Sequence, residues 1–229
     1  MFPTTRASAV SDLGDPDPRI ASRARAVIAE VYWRPLYLYV RLRHHRPPAD
    51  AEDLIQGFFA TALHRDALAS YDPGRGRFRT FLRRCVDRYV IDVHRRERAA
   101  RRDAGVTLDF AAAEREVATA SAGDPDAAFE AAWLRHLVTV ARDRTVATLI
   151  AKARPVHAAL FEAFHGDAPP SYAAAAAAHG ITVTDVTNWL AYARREFRRT
   201  ALELLRELCH DDAEFVAEAK AVFGLDVTP

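Results

Sequence analysis

Of the seven arginines and three aromatic rings between positions 77 and 96 of this 229-residue chain, six and two could do chemistry together: Arg77, Arg79, Arg84, Arg88, Arg95 and Arg96, with Phe81 and Tyr89 among them. A guanidinium fork matches phosphate oxygens two at a time, and an aromatic ring can stack on an unpaired base. At about 100° per residue, Arg77, Arg84, Arg88, Arg95 and Arg102 fall on one narrow line, with Phe81 and Tyr89 at its edge. Phe78, Leu82, Cys85, Val86, Val90 and Val93 fill a broad apolar face beside them. A rod of roughly 40 Å carrying such a line suits a surface that follows a phosphate backbone, with rings placed to catch separated bases. The competing reading is the solvated outer face of a helical bundle.

A second group lies near the far end: Thr182, Thr184, Thr187, Asn188, Tyr192, Arg194, Arg195 and Arg199. Val186, Leu190, Ala193 and Phe197 take one side of that helix, while Thr184, Asn188, Tyr192, Arg195 and Arg199 lie almost opposite. Hydroxyl, amide and phenol groups suit base edges, and the guanidiniums after them suit phosphates. A third group, Asp50, Glu52, Asp53 and Gln56, opens a helix with acids in its first turn, where they complement the macrodipole.

Helices must position all three groups, because strand signals are absent throughout. The spacing predicts a helix over 19–45 that Pro35 should kink or split, ended by Pro47-Pro48. Leu54, Ile55, Phe58, Phe59, Ala62 and Leu63 should pack the acidic helix onto the arginine helix, which comes after the turn Asp72-Pro73-Gly74-Arg75-Gly76. Asp124-Pro125-Asp126 reads as another helix start, and Pro155 and the segment 166–170 break up the helical pattern beyond it. Ser171 should cap a short alanine-rich helix. Gly180-Ile181 supplies a turn, and Thr182 or Thr184 caps the next helix, which is the grammar of a helix-turn-helix. The expected fold is all-α, with two small helical domains: a disordered tail over 1–18, a first domain over 19–104, a linker over 105–125, and a second domain over 126–229 ending in an acidic helical tail.

Net charge is only +1, so the basicity is local rather than general. Cys85 and Cys209 form no C-x-x-C pair and read as reduced thiols. No apolar leader and no run of eighteen apolar residues occurs, so the expected setting is the cytoplasm, without a membrane partner. The nine histidines form no zinc pattern, and no phosphate loop or nucleophile signature is present. The chain is expected to be neither an enzyme nor a binder of a metal or cofactor.

Three stretches in order resemble one family. AEDLIQGFFATAL, YDPGRGRFRTFLRRCVDRYVIDVHRRERAARR and PSYAAAAAAHGITVTDVTNWLAYARREFRR are similar to bacterial RNA polymerase sigma factors of the extracytoplasmic-function group, in the sigma-70 family. That group keeps only the second and fourth conserved regions. The resemblance implies a region 2 bundle and a region 4 helix-turn-helix. It implies that Asp50, Glu52, Asp53 and Gln56 dock on core polymerase. Arg77, Arg79, Phe81, Arg84, Arg88, Tyr89, Arg95 and Arg96 would bind the minus-10 element and its melted non-template strand. Thr182, Thr184, Thr187, Asn188, Tyr192, Arg194, Arg195 and Arg199 would bind the duplex minus-35 element. An anti-sigma factor is a further implied partner. Arg88 stands where the family usually has Asn, and Thr187 and Trp189 stand where basic residues are usual. The alternative class is a stand-alone helix-turn-helix regulator.

Overall fold

The computed structural model describes residues 8–62, 71–97, 117, 123–166 and 168–227. Every element among them is helical. The chain forms two compact units, one made of Met1–His136 with Leu205–Pro229 and the other of Leu137–Leu204.

At the centre of the first unit is α1, Pro18–Arg43, which starts on a proline and is capped by Asp17, whose carboxylate accepts from the Arg19 N–H at 2.8 Å. Between Val31 and Val40 this helix buries Val31, Tyr32, Pro35, Leu36, Tyr37, Leu38, Tyr39 and Val40. A helix apolar on all sides belongs inside a core. Pro35 does not split the helix, and α1 runs through it. The pyrrolidine ring is buried there, and that burial offsets the lost backbone bond.

Two further helices lie on α1. Helix α2, Pro48–Gly57, buries Ala51, Leu54 and Ile55 and continues into a π-helical turn, Phe58–Ala62, whose Phe58 is also buried. Helix α3, Phe78–Glu97, buries Phe78, Leu82, Val86 and Val90, spaced four apart along one stripe. Leu63, expected on the packing face of α2, lies outside the described residues. The Tyr32 ring meets Phe78 edge-on at 5.9 Å and stacks on Trp133 at 6.4 Å.

The two ends of the chain also belong to this unit. Residues 1–7 of the expected disordered tail lie outside the described residues, but from Ser8 onward the tail is ordered. The Ser8 hydroxyl donates to the Cys209 carbonyl at 2.5 Å, and the Ala9 N–H donates to the Glu207 carbonyl at 2.8 Å. Ala9 and Val10 are buried. The tail is held because its backbone groups find partners and its apolar side chains find cover.

Helix α4, Pro125–Ala151, comes after the expected linker region, most of which is not described, and contributes to both units. So does α7, Val183–Glu207. Residues 205–229, grouped by sequence with the second domain, fall in the first unit. Leu205, Leu208 and Cys209, with Phe215 and Ala219 of α8, Asp212–Phe223, form an apolar stripe that is buried there.

The second unit comprises the rest of α4 and α7 with α5, Pro155–Ala163, and α6, Tyr172–His179. Leu160, Ala175, Ala176, Val186 and Leu190 form one core cluster, and Leu149, Ala158, Phe161 and Ala193 another. Ser171 caps α6 by accepting from the Ala174 N–H at 3.1 Å, and Gly180 ends it in the left-handed region at φ 63°. Thr182 rather than Thr184 caps α7. Its hydroxyl accepts from the Asp185 N–H at 3.1 Å, while the Asp185 carboxylate accepts from the Thr182 N–H at 3.0 Å. This is a reciprocal capping box. Its bonds hold the Asp185 carboxyl below the usual carboxylate range.

Gly57 marks a close approach between α2 and α3. A Cβ there would sit 2.4 Å from the Tyr89 hydroxyl oxygen, and the Tyr89 ring is fixed by Phe58 at 5.7 Å. Gly57→Ala should therefore cost about 1–2 kcal/mol in urea unfolding. Most of that cost should vanish in a Tyr89→Phe background, which removes the obstructing oxygen.

Candidate nucleic-acid interface

The turn ahead of α3 is built by local chemistry. The Asp72 carboxylate accepts from the Gly74 N–H at 2.9 Å and closes the 3-10 turn Pro73–Arg75. Gly76 comes next at φ 128°, ψ 179°, a conformation open essentially to glycine alone. Between this turn and the first turns of α3 lies a cavity of about 220 Å³. Tyr71, Asp72, Arg75, Gly76, Arg77, Thr80, Phe81, Arg84, Cys85 and Arg88 line it. Four arginines and one acid, Asp72, are thus among the lining residues, and Asp72 is paired with Arg75 at 3.2 Å. Phe81 is half-buried, with Tyr71 at 5.3 Å and Phe78 at 6.2 Å supporting its ring. Burial pushes the Cys85 thiol up to about 11, so it stays protonated and unreactive at neutral pH. The chemistry on offer is anion binding beside a preset aromatic ring.

The arginines of α3 divide into two sets. Arg84, Arg88 and Arg95 are exposed, and Arg77 is exposed while paired with Glu218 at 2.8 Å. Arg96 begins the part of α3 whose side chains are not described. Arg79, expected on the DNA-binding surface, is instead buried. It lies about 160° round the helix from Arg84, Arg88 and Arg95. Its guanidinium bonds Glu130 at 2.6 Å, pairs with the buried Glu218, and lies 4.4 Å over the Trp133 ring. Burial works against its charge, and the two carboxylates more than offset that, so its pKa is raised. Arg83 is held in a related way, 3.0 Å from Asp126 and over the Tyr39 and Phe129 rings. Tyr89 also departs from expectation: it packs on Phe58 and Gly57 and does not line the cavity.

On α2, Asp50 and Asp53 are exposed, and Glu52 and Gln56 are half-buried. The four occupy the arc opposite Ala51, Leu54 and Ile55, so the apolar packing of α2 leaves them facing outward.

In the second unit Thr184, Thr187, Asn188, Arg194 and Arg195 are exposed along α7. Thr182 is engaged as the cap. Arg199 is half-exposed and pairs with Glu203 at 2.8 Å and Glu196 at 2.9 Å, so its charge is partly spent along its own helix. Tyr192 is half-buried, with the Arg154 guanidinium 4.2 Å over its ring and His157 edge-on at 5.7 Å. His157 stacks on Trp189 at 4.6 Å. Its burial, then Arg154, lowers its pKa, so the ring is neutral at pH 7. Neither Arg154 nor His157 stands out in the sequence. They lie beside α7 only because Leu160 of α5 packs on Val186 and Leu190, and no periodicity reports that.

Residues 31–100 match the family model for sigma-70 region 2. The likeness to sigma-70 region 2 is thus confined to this segment. The segment holds the acids of α2, the turn and all the cavity-lining residues. The match covers less than half of the chain and supports a place in the sigma-70 family, whose members are transcription initiation factors rather than enzymes. It implies contact with core RNA polymerase and promoter DNA. No curated protein and no solved structure matches the chain. Among the described residues no helix is long and apolar enough to cross a membrane, and no group of three or more His, Cys, Asp or Glu could hold a metal ion.

The buried position of Arg79 separates it from its neighbours in a measurable way. Arg79→Ala leaves Glu218 with only the half-exposed Arg77 and should cost about 3 kcal/mol in urea unfolding. Arg84→Ala removes an exposed charge and should change stability by no more than about 0.5 kcal/mol.

Proposed function

We propose that this protein is a sigma factor of the extracytoplasmic-function type. Its first unit docks on core polymerase through Asp50, Glu52, Asp53 and Gln56 and opens the minus-10 element. Its second unit reads the minus-35 element with α7. The observation that carries this reading is the cavity at the start of α3, which Arg75, Arg77, Arg84 and Arg88 line together with Phe81 within the matched segment.

The mechanism rests on a balance of terms. Unstacking and flipping a base costs a few kcal/mol, and stacking it on a protein ring returns roughly 1–3 kcal/mol. Guanidiniums beside the ring neutralise the flanking phosphates and hold the strand in register. Strand opening is then an exchange of base–base for base–protein contacts, and no covalent chemistry is required. Neither unit needs high affinity alone, because polymerase tethers both and raises their effective concentration on DNA. On α7, Thr184, Thr187 and Asn188 precede Tyr192, Arg194 and Arg195, an order that suits base edges first and phosphates later. The Asn188 amide suits an adenine. Arg154, just ahead of α5 and over Tyr192, adds a cation beside the same surface.

Reconstitution with bacterial core polymerase on a library of upstream sequences tests the reading, and selective initiation is the expected result. Phe81→Ala should lower open-complex formation about tenfold while leaving closed-complex binding unchanged. Asp53→Arg should weaken capture of core polymerase about tenfold without loss of helicity. A free chain that dimerises and binds palindromic duplex tightly without polymerase would instead be a stand-alone regulator.

A further inference from the structure

The last helix of the chain builds the turn in front of the cavity. Glu214 lies in the first turn of α8, and its Oε1 accepts from the Tyr71 hydroxyl at 3.0 Å and the Phe78 N–H at 3.2 Å. Its Oε2 accepts from the His210 N–H at 2.8 Å. Phe78 is the first residue of α3, so its N–H is one of those a helix start leaves unpaired. A carboxylate at that point also complements the positive end of the helix dipole. The Tyr71 hydroxyl shares its proton with the Gly76 carbonyl at 2.9 Å. One carboxylate from the far end of the chain thus holds both ends of the segment 71–78.

The neighbouring contacts point the same way. One turn along α8, Glu218 pairs with Arg77 and with the buried Arg79. Burial, then Glu214, raises the Tyr71 pKa, so the phenol stays protonated and remains a donor. Ala213, Glu214, Ala217 and Glu218 line a separate hollow with the turn, and no residue of α8 lines the cavity of about 220 Å³. The acidic helix braces the turn without filling the cavity.

We propose that Glu214 is a positioning residue for strand capture, and that α8 is a built-in part of the capture site. This rests on the promoter-opening function proposed above. Glu214 sets the turn so that Arg75, Arg77 and Phe81 line one opening.

The test compares full-length Glu214→Ala, Glu214→Gln and Tyr71→Phe chains in reconstituted holoenzyme, with permanganate reactivity of the opened promoter as the readout. Glu214→Ala should lower open complexes about tenfold with closed complexes unchanged, because three bonds to a charged acceptor are lost, two of them from the segment 71–78. Tyr71→Phe should fall between Glu214→Ala and the wild type. Glu214→Gln keeps the Oε1 acceptor and should stay within about twofold of the wild type. Opening by Glu214→Ala that equals or exceeds the wild type would overturn the proposal, since α8 would then be inert or a shield over Arg77. If the wild-type chain opens no promoter, the proposed function falls, and hydrogen exchange at the Phe78 amide in the free chain decides the positioning claim. About tenfold faster exchange in Glu214→Ala than in Glu214→Gln supports it, and equal exchange overturns it.

Discussion

A buried guanidinium must have partners, and in this chain the partners of Arg79 come from two other helices. Glu130 arrives from α4 and Glu218 from α8, while Trp133 supplies the face on which the guanidinium lies. Removing any one charge would leave another buried without full compensation, which interiors do not tolerate. The contact therefore ties residues near 79, 130 and 218 to one point. It makes the C-terminal segment part of the unit that carries the stretch matched to sigma-70 region 2. The N-terminal tail is drawn in by the same segment, because the Ala9 N–H and the Ser8 hydroxyl donate to the carbonyls of Glu207 and Cys209.

With Arg79 and Arg83 committed to the interior, α3 has three faces with three tasks. Phe78, Leu82, Val86 and Val90 join the core, Arg79 and Arg83 clamp α4 and α8, and Arg84, Arg88 and Arg95 face solvent. The positive field at the cavity comes from this third face together with Arg75 and Arg77 of the turn. A chain of net charge +1 can thus present a local anion-binding surface, because its acids are largely placed elsewhere.

The second unit reaches a packed core by a different route. Ala175 and Ala176 on α6 let Val186 and Leu190 of α7 approach closely, and Leu160 of α5 closes the cluster. Side-chain volume is small, so definition comes from the helix ends: the Ser171 cap, the left-handed Gly180 and the Thr182–Asp185 box. Each satisfies backbone groups that would otherwise be orphaned next to the turn. The polar side of α7 is left outward-facing as a result.

Helix identity, most helix ends and the outward faces of α2 and α7 could be read from the residues alone. They depend on local rules: proline at a helix start, hydroxyl caps, glycine at a left-handed stop, and apolar residues three and four apart. The same rules placed Arg84, Arg88 and Arg95 on one line and Phe81 beside it. They could not separate Arg79 from its neighbours, since its partners are about 50 and 140 residues away and equal charge spacing occurs on any solvated helix. Asp126 with Glu130 and Glu214 with Glu218 repeat the spacing of Arg79 with Arg83, a hint that becomes specific only when three helices meet. Tyr89 behaves likewise, because periodicity gives its angle on α3 but not the approach of Gly57. Local sequence determined which segments are helical and which sides are polar. Tertiary packing alone decided which charges are buried, because burial depends on what a distant segment brings to the same place.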